Sequence, residues 1–230
     1  MDHCLDNPVW HALVGPNAGV AIGDGLARHY PRDMAPFSAV AEPSPAAYVD
    51  LKRDLPKGLE ARLFRPAEEL VPEGWESVGA WPIVQMVLDR AASGDRGTPA
   101  DQRVRPLAAV DVAAMLDLAE AAKPGPFDRR TAELGAFVGV FQDKRLVAMA
   151  GERFRLPGYV ELSAIAVHRE TRGRGLASAL ILALCQRATE RDEIPFLHVF
   201  PDNPAMALYE RLGFRTRARL WVLWRRPVPL

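Results

Sequence analysis

Little in this 230-residue chain points to a metal, a membrane or a nucleic acid, and each shortage excludes a class of function. Only two cysteines occur, Cys4 and Cys185, with neither paired nor metal-ligand spacing, so a disulfide framework and a thiolate metal centre are excluded. No clustering of His, Cys, Asp and Glu suggests a metal site, and no Ser-His-Asp arrangement can be read. Net charge is missing too: 29 Lys+Arg balance 29 Asp+Glu, against a nucleic-acid partner, which would need a basic face. No apolar run approaches the ~20 residues that span a bilayer. The start, Met-Asp-His-Cys-Leu-Asp, lacks the basic and apolar regions of a signal peptide. The expectation is a reduced, cytoplasmic protein without membrane or nucleic-acid partners. What is present is ordinary: 49% hydrophobic and 25% charged residues, enough apolar material for a sizeable core.

Patterning divides the chain. Ala91-Ala-Ser-Gly-Asp-Arg-Gly-Thr-Pro-Ala-Asp-Gln102 is polar, rich in small residues and free of periodicity, as a linker is. Three parts are expected: an N-terminal α/β lobe over 1–92, a linker over 93–102 and a main domain over 103–230. In the lobe, strands are expected at Gly19–Ile22, Phe37–Ala41, Glu60–Phe64 and Ile83–Leu88, with a helix from Ala46 to Asp54. The main domain reads more clearly. Val104-Arg-Pro106 is a strand end. Asp111 is placed to cap a helix carrying Val112, Met115, Leu116 and Leu118, which Lys123-Pro-Gly-Pro126 ends. Strands follow at Phe137–Phe141, Leu146–Gly151 and Tyr159–Val167. The stripe Leu176, Ala179, Leu180, Ala183, Leu184, Ala188 predicts an amphipathic helix, with Cys185 as a small core residue. A strand at Phe196–Phe200, a short helix from about Pro204 to Gly213 and a strand at Leu220–Trp224 complete a β-α-β-β-β-α-β-α-β order.

Between the strand ending at Val167 and the helix beginning near Gly175 lies His168-Arg-Glu-Thr-Arg-Gly-Arg-Gly175. A strand, a glycine-bearing basic turn and a helix N-terminus together present backbone N–H groups and positive charge to a phosphate. The glycines let the main chain approach a ligand with no side chain in the way. A Walker loop would need Lys-Ser/Thr where Leu176-Ala177 stands, and a dinucleotide fingerprint would need a third glycine where Ser178 stands. Arg172-x-x-Gly175-x-Ala177 instead resembles the Q/R-x-x-G-x-G/A acetyl-CoA loop of the GNAT acyltransferase superfamily. Some 30 residues on, Asp202-Asn203-Pro-Ala-Met-Ala-Leu-Tyr-Glu-Arg-Leu-Gly-Phe214 resembles the N-x-x-A-x-x-L-Y-x-x-L-G-F segment of that superfamily. The resemblance covers roughly Val104 to Arg226 and is of the FR47-like, glycine N-acyltransferase-like kind. It implies an α/β (α+β) GNAT fold, with a mixed central sheet flanked by helices, behind a smaller N-terminal lobe that would be a degenerate copy.

The resemblance also implies roles. Acetyl-CoA would be the acyl donor, its pyrophosphate on Arg172, Gly173, Arg174, Gly175, Leu176 and Ala177. Its peptide-like arm would pair with main-chain groups of Ile165, Ala166 and Val167, as an added strand would. Asn203 would touch that arm, although it stands six residues before Tyr209 where the family spacing is seven, and Asp202 holds the expected place. Tyr209 would protonate the leaving thiolate. Glu161 lies in an otherwise apolar strand, where a carboxylate needs partners or a raised pKa; alternation puts it on the face of Val167, and the resemblance makes it the general base. His198 reads as a hydrogen-bonded core residue, His168 as a solvent-exposed neighbour of the loop, and Trp221 and Trp224 as packing or acceptor-pocket wall. The expected activity is acetyl transfer to a primary amine, a small molecule or a peptide N-terminus. An acyl-CoA-binding module without turnover, or a nucleotide-binding protein using the same loop, would share the cradle.

Overall fold

A computed structural model describes residues 3–89, 101 and 103–228. The expected linker at 93–102 falls outside them apart from residue 101. The N-terminal part begins with α1 (Pro8–Leu13), which sequence reading did not anticipate, and a small antiparallel pair, β1 (Ala27–His29) and β2 (Ser38–Val40). Next comes α2 (Pro45–Asp54), started by Pro45 and by the Ser44 hydroxyl, which accepts from the Ala47 N–H. Two strands follow, β3 (Ala61–Arg65) and β4 (Trp75–Leu88). The strand expected at Gly19–Ile22 is instead a 3-10 turn, Ala18–Val20. The Val20 N–H bonds back to the Asn17 carbonyl and the Ala21 N–H to that of Ala18, and of the expected strand only Ile22 makes a bridge, to His29.

The C-terminal part follows the expected order: β5 (Val104–Pro106), α3 (Val112–Ala122), β6 (Phe137–Gln142), β7 (Arg145–Leu156), β8 (Tyr159–Val167), α4 (Leu176–Glu190), β9 (Ile194–Val199), α5 (Met206–Arg211) and β10 (Phe214–Pro227). Lys123 ends α3 in the left-handed region, at φ 48°. Asp111 departs from expectation. Its carboxylate accepts from the Ala108 N–H and pairs with Arg105, and makes no side-chain cap to α3.

Among the described residues, eight strands form one mixed sheet in the order β3-β10-β4-β9-β8-β7-β6-β5. The two N-terminal strands are built into it. β4 lies between β10 and β9, and β10 pairs with β4 from Phe214↔Leu88 to Pro227↔Trp75. β3 and β4, from the region expected as a separate lobe, therefore share a sheet with the strands of the main domain. The sheet curls enough for the Phe64 ring on β3 to come within 4.6 Å of His198 on β9, three strands away. On one face α4 packs Leu176, Leu180 and Leu184 against Val138, Leu162 and Leu197. On the other, α3 packs Met115 and Leu118 against Phe137, Ala164 and Ala166. Residues from α1, with Tyr30 and Phe37, fill the curl against Phe64, Phe154 and Phe196. Among the described residues, no helix is long and apolar enough to cross a membrane.

Candidate active site

All pairings in the large sheet are antiparallel except β8 with β9, which run parallel for only Tyr159↔Ile194, Val160↔Pro195 and Glu161↔Phe196. Beyond Glu161 the two strands part. Among the described residues, the main chain from Leu162 to Val167 has no strand on its β9 side. Its other edge stays paired to β7 as far as Ala148↔Val167. An extended edge with no strand paired to it, in the middle of a sheet, is a slot for a peptide-like ligand. Ile165, Ala166 and Val167 lie along it.

A bulge at Ala164 bends β8 here. Ala164 has φ 51°, and four residues of β8 (Ser163 to Ala166) span the same ladder as three of β7 (Met149 to Gly151). The extra residue breaks the alternation used to place Glu161. Leu162, Ile165 and Val167 join the α4-side cluster, whereas Ala164 and Ala166 face α3. Glu161 is the register partner of Phe196, which belongs to the cluster inside the curl. Glu161 and Val167 therefore lie on opposite faces, contrary to the expectation from strict alternation.

β8 runs directly into the glycine turn. Arg169–Thr171 form a 3-10 turn, then Gly173 and Gly175 adopt φ 77° and 75°. A Cβ at either would meet nothing within 4 Å, so conformation and not crowding selects glycine there. α4 starts at Leu176 with no side-chain cap, leaving its first N–H groups without helical partners beside the positive end of its dipole. Arg172 is anchored to the strand edge, its Nε donating to the Val167 carbonyl at 3.3 Å, and Arg174 Nη2 donates to the Glu170 carbonyl at 3.4 Å. These residues fit a pyrophosphate.

Glu161 is the last paired residue before the strands part, and it is sealed, at 1% exposure. Arg153 donates Nε to its Oε2 at 2.7 Å and Nη2 to its Oε1 at 2.8 Å, and His198 Nδ1 donates to Oε1 at 2.7 Å. The Arg153 guanidinium lies 4.6 Å from the Phe37 ring centre and 4.5 Å from that of Phe154. Burial pushes the carboxyl pKa up, but the Arg153 charge and the His198 and Arg153 hydrogen bonds outweigh it and hold it at about 2. Of the two ways the sequence left open for a carboxylate in an apolar strand, partners or a raised pKa, the structure shows partners. The strand charge is tolerated because it is paired. Tyr30, nearby, has its phenol pushed up by burial and then by the Glu161 charge, and its buried hydroxyl has no hydrogen-bond partner among the described residues.

Tyr209 projects from α5 into the α4-side cluster with Leu176 and Val199, edge-on to Phe214. Burial raises its pKa, so it keeps its proton. Loop and tyrosine thus share one side of the parting, and Glu161 the other. Asn203 is committed locally: its Oδ1 accepts from the Ala205 N–H at 2.9 Å and its carbonyl from the Met206 N–H. His168 is half-buried and not solvent-exposed as expected; it takes a 2.8 Å hydrogen bond from Arg145 and lies 3.5 Å from Glu170. Trp224 stacks under Arg62 and against Trp81. Cys185 is buried, which pushes its thiol up to about 12. Sequence reading missed Arg153, Gln85 and Tyr30. The signal for Gln85 was present, a lone amide inside the apolar run Ile83–Leu88.

Residues 137–222 match the family described as FR47-like protein. A structure from Novosphingobium aromaticivorans DSM 12444, described as a GNAT-family acetyltransferase, superposes with a TM-score of 0.89 at 35% identity, over 99% of this chain and 100% of that one. A GCN5-related N-acetyltransferase from Kribbella flavida gives 0.60 at 20% identity, over 95% and 96%. A Staphylococcus epidermidis ATCC 12228 protein of unknown function gives 0.60 at 13%, over 89% and 92%. The last two are likenesses of fold. No curated protein matches the chain.

Proposed function

The chain belongs to the GNAT family of acetyltransferases, and from that premise we propose that it moves an acetyl group from acetyl-CoA to a primary amine by direct attack. The observation that carries this reading is the parting of β8 from β9 immediately before the glycine turn. One continuous surface offers an unpaired strand edge and then a helix N-terminus, features suited to the peptide-like arm and the pyrophosphate of coenzyme A. Ile165, Ala166 and Val167 would hold the arm, and Arg172 to Ala177 the pyrophosphate.

The thioester would then lie where the strands part, with Tyr209 on the side of the loop. The amine nitrogen attacks the thioester carbon, a C–N bond forms and the C–S bond breaks. The leaving thiolate takes the Tyr209 proton, and the phenolate regains one from solvent. A carboxylate held well below the usual carboxylate range by Arg153 and His198 is far too weak a base to take the proton of an ammonium. Glu161 is therefore a fixed charge in this reading, and the amine arrives uncharged and sheds its surplus proton to water. The acceptor is a small amine or a peptide N-terminus.

The test is amine-dependent thiol release from acetyl-CoA across a panel of amino acids, small amines and peptides. At least one acceptor should be turned over, and Tyr209→Phe should lower kcat by about tenfold to a hundredfold with the affinity for acetyl-CoA within a few-fold of wild type. Release that no amine accelerates would sink the proposal.

A further inference from the structure

Behind Glu161 a second layer of polar side chains fixes which way the hydrogen bonds at the strand parting run. Gln85 of β4 is fully buried and has three polar neighbours. Arg217 Nη1 lies 2.9 Å from its Oε1, the Leu5 carbonyl 2.9 Å from its Nε2, and His198 Nε2 3.1 Å from that same nitrogen. A guanidinium can only donate and a carbonyl can only accept, so the amide has one orientation. Turning it over would set donor against donor at Arg217 and acceptor against acceptor at Leu5. The amide nitrogen therefore donates to His198 Nε2, which must offer a lone pair. The proton of that imidazole is then on Nδ1, and it goes to Glu161 Oε1 at 2.7 Å. Phe64 and Phe196 pack on the ring, 4.6 and 5.6 Å between centroids, and prevent it from turning.

We propose that Gln85, oriented by Arg217 and the Leu5 carbonyl, is a positioning residue that fixes His198 as the Nδ1–H tautomer and so aims a permanent donor at Glu161. Every link runs one way: Arg217 to Gln85, Gln85 to His198, His198 to Glu161, with Arg153 donating from the far side. The chain reaches the surface through Arg217 Nη2, 2.8 Å from Asp6. Leu5 and Asp6 thereby help to set the polarity of the point where β8 and β9 separate. Gln85 touches no reacting atom; it acts through His198. Its kinetic consequence rests on the acyl-transfer reading, but the tautomer does not.

Nitrogen-15 NMR of the full chain with labelled histidine tests it at neutral pH. The His198 signal is assigned by its loss in His198→Asn or, if that variant does not fold, in His198→Gln. Wild type should show a protonated Nδ1 and an unprotonated Nε2. In Gln85→Glu a carboxylate replaces the donor, and both nitrogens should become protonated. Gln85→Met, isosteric and without a donor, should move the Nε2 signal to that of an unbonded nitrogen, and serves if the Glu variant does not fold. A protonated Nε2 in wild type, or an unchanged His198 spectrum in the folded Gln85 variants, overturns the proposal. In turnover, Gln85→Glu should lower kcat tenfold or more and leave the affinity for acetyl-CoA unchanged. An unchanged kcat with a changed spectrum overturns the positioning role. Failure of the acyl-transfer reading would show differently, as a wild-type protein that no amine stimulates.

Discussion

Removing the charge of Glu161 leaves the Arg153 guanidinium buried between Phe37 and Phe154 with no anion beside it. Breaking a buried ion pair from one side typically costs about 3–5 kcal/mol, so Glu161→Gln should unfold at much lower urea than wild type at pH 7. The pH dependence has a definite sign. The folded-state pKa of about 2 lies below the ordinary 4.5, so the stabilisation is complete above about pH 4.5 and is lost as pH falls toward 2. That shift corresponds to about 3 kcal/mol, and the gap between wild type and Glu161→Gln should narrow over that window. Equal denaturation midpoints at pH 7 would contradict the pairing. The carboxylate was conspicuous in the sequence because its strand is otherwise apolar. Its partners were not, since Arg153 is 8 residues away and His198 is 37. Without them burial alone points to a raised pKa, the opposite of what the paired geometry produces.

Elements with strong periodicity were legible: α4, β8 and β6 lie where their apolar patterns put them, and β7 starts where expected but runs on to Leu156, past the expected end at Gly151. β4 was read only over its apolar half, Ile83–Leu88. Its other half carries exposed residues and Pro82, which argues against a central strand. The proline is tolerated because the β9 ladder reaches only Val84, leaving one edge of β4 free beside Pro82. The union of β4 with β10 could not be read locally, because its partners stand more than a hundred residues apart. It changes what truncation should do. A chain of residues 103–230 keeps the loop and Tyr209 but leaves β9 and the 14-residue β10 without β4 between them. Such a fragment should be insoluble or lack a cooperative transition by circular dichroism. A soluble fragment with a sharp thermal transition would show that the C-terminal strands close without β4.

At the scale of the whole molecule, the curl of one sheet brings residues from Leu5 to Arg217 around a single parting of two strands. The loop was legible because its spacing is local, and a turn followed by a helix states its own geometry. The polar network was not, because six of its members come from six separate segments and only the packed sheet assembles them. The donor site rests on the parting and the glycine turn together, and both must serve one ligand. Thermal unfolding with saturating acetyl-CoA tests that directly. At about 100 times its dissociation constant, a ligand bound only by the folded state adds roughly 2.7 kcal/mol, which for a chain of this size raises Tm by roughly 5–10 °C. Wild type should show that rise. Gly175→Glu, which sets a carboxylate at the start of α4, should unfold cooperatively and show none. No rise in wild type, or an equal rise in Gly175→Glu, would contradict the assignment of this surface to coenzyme A.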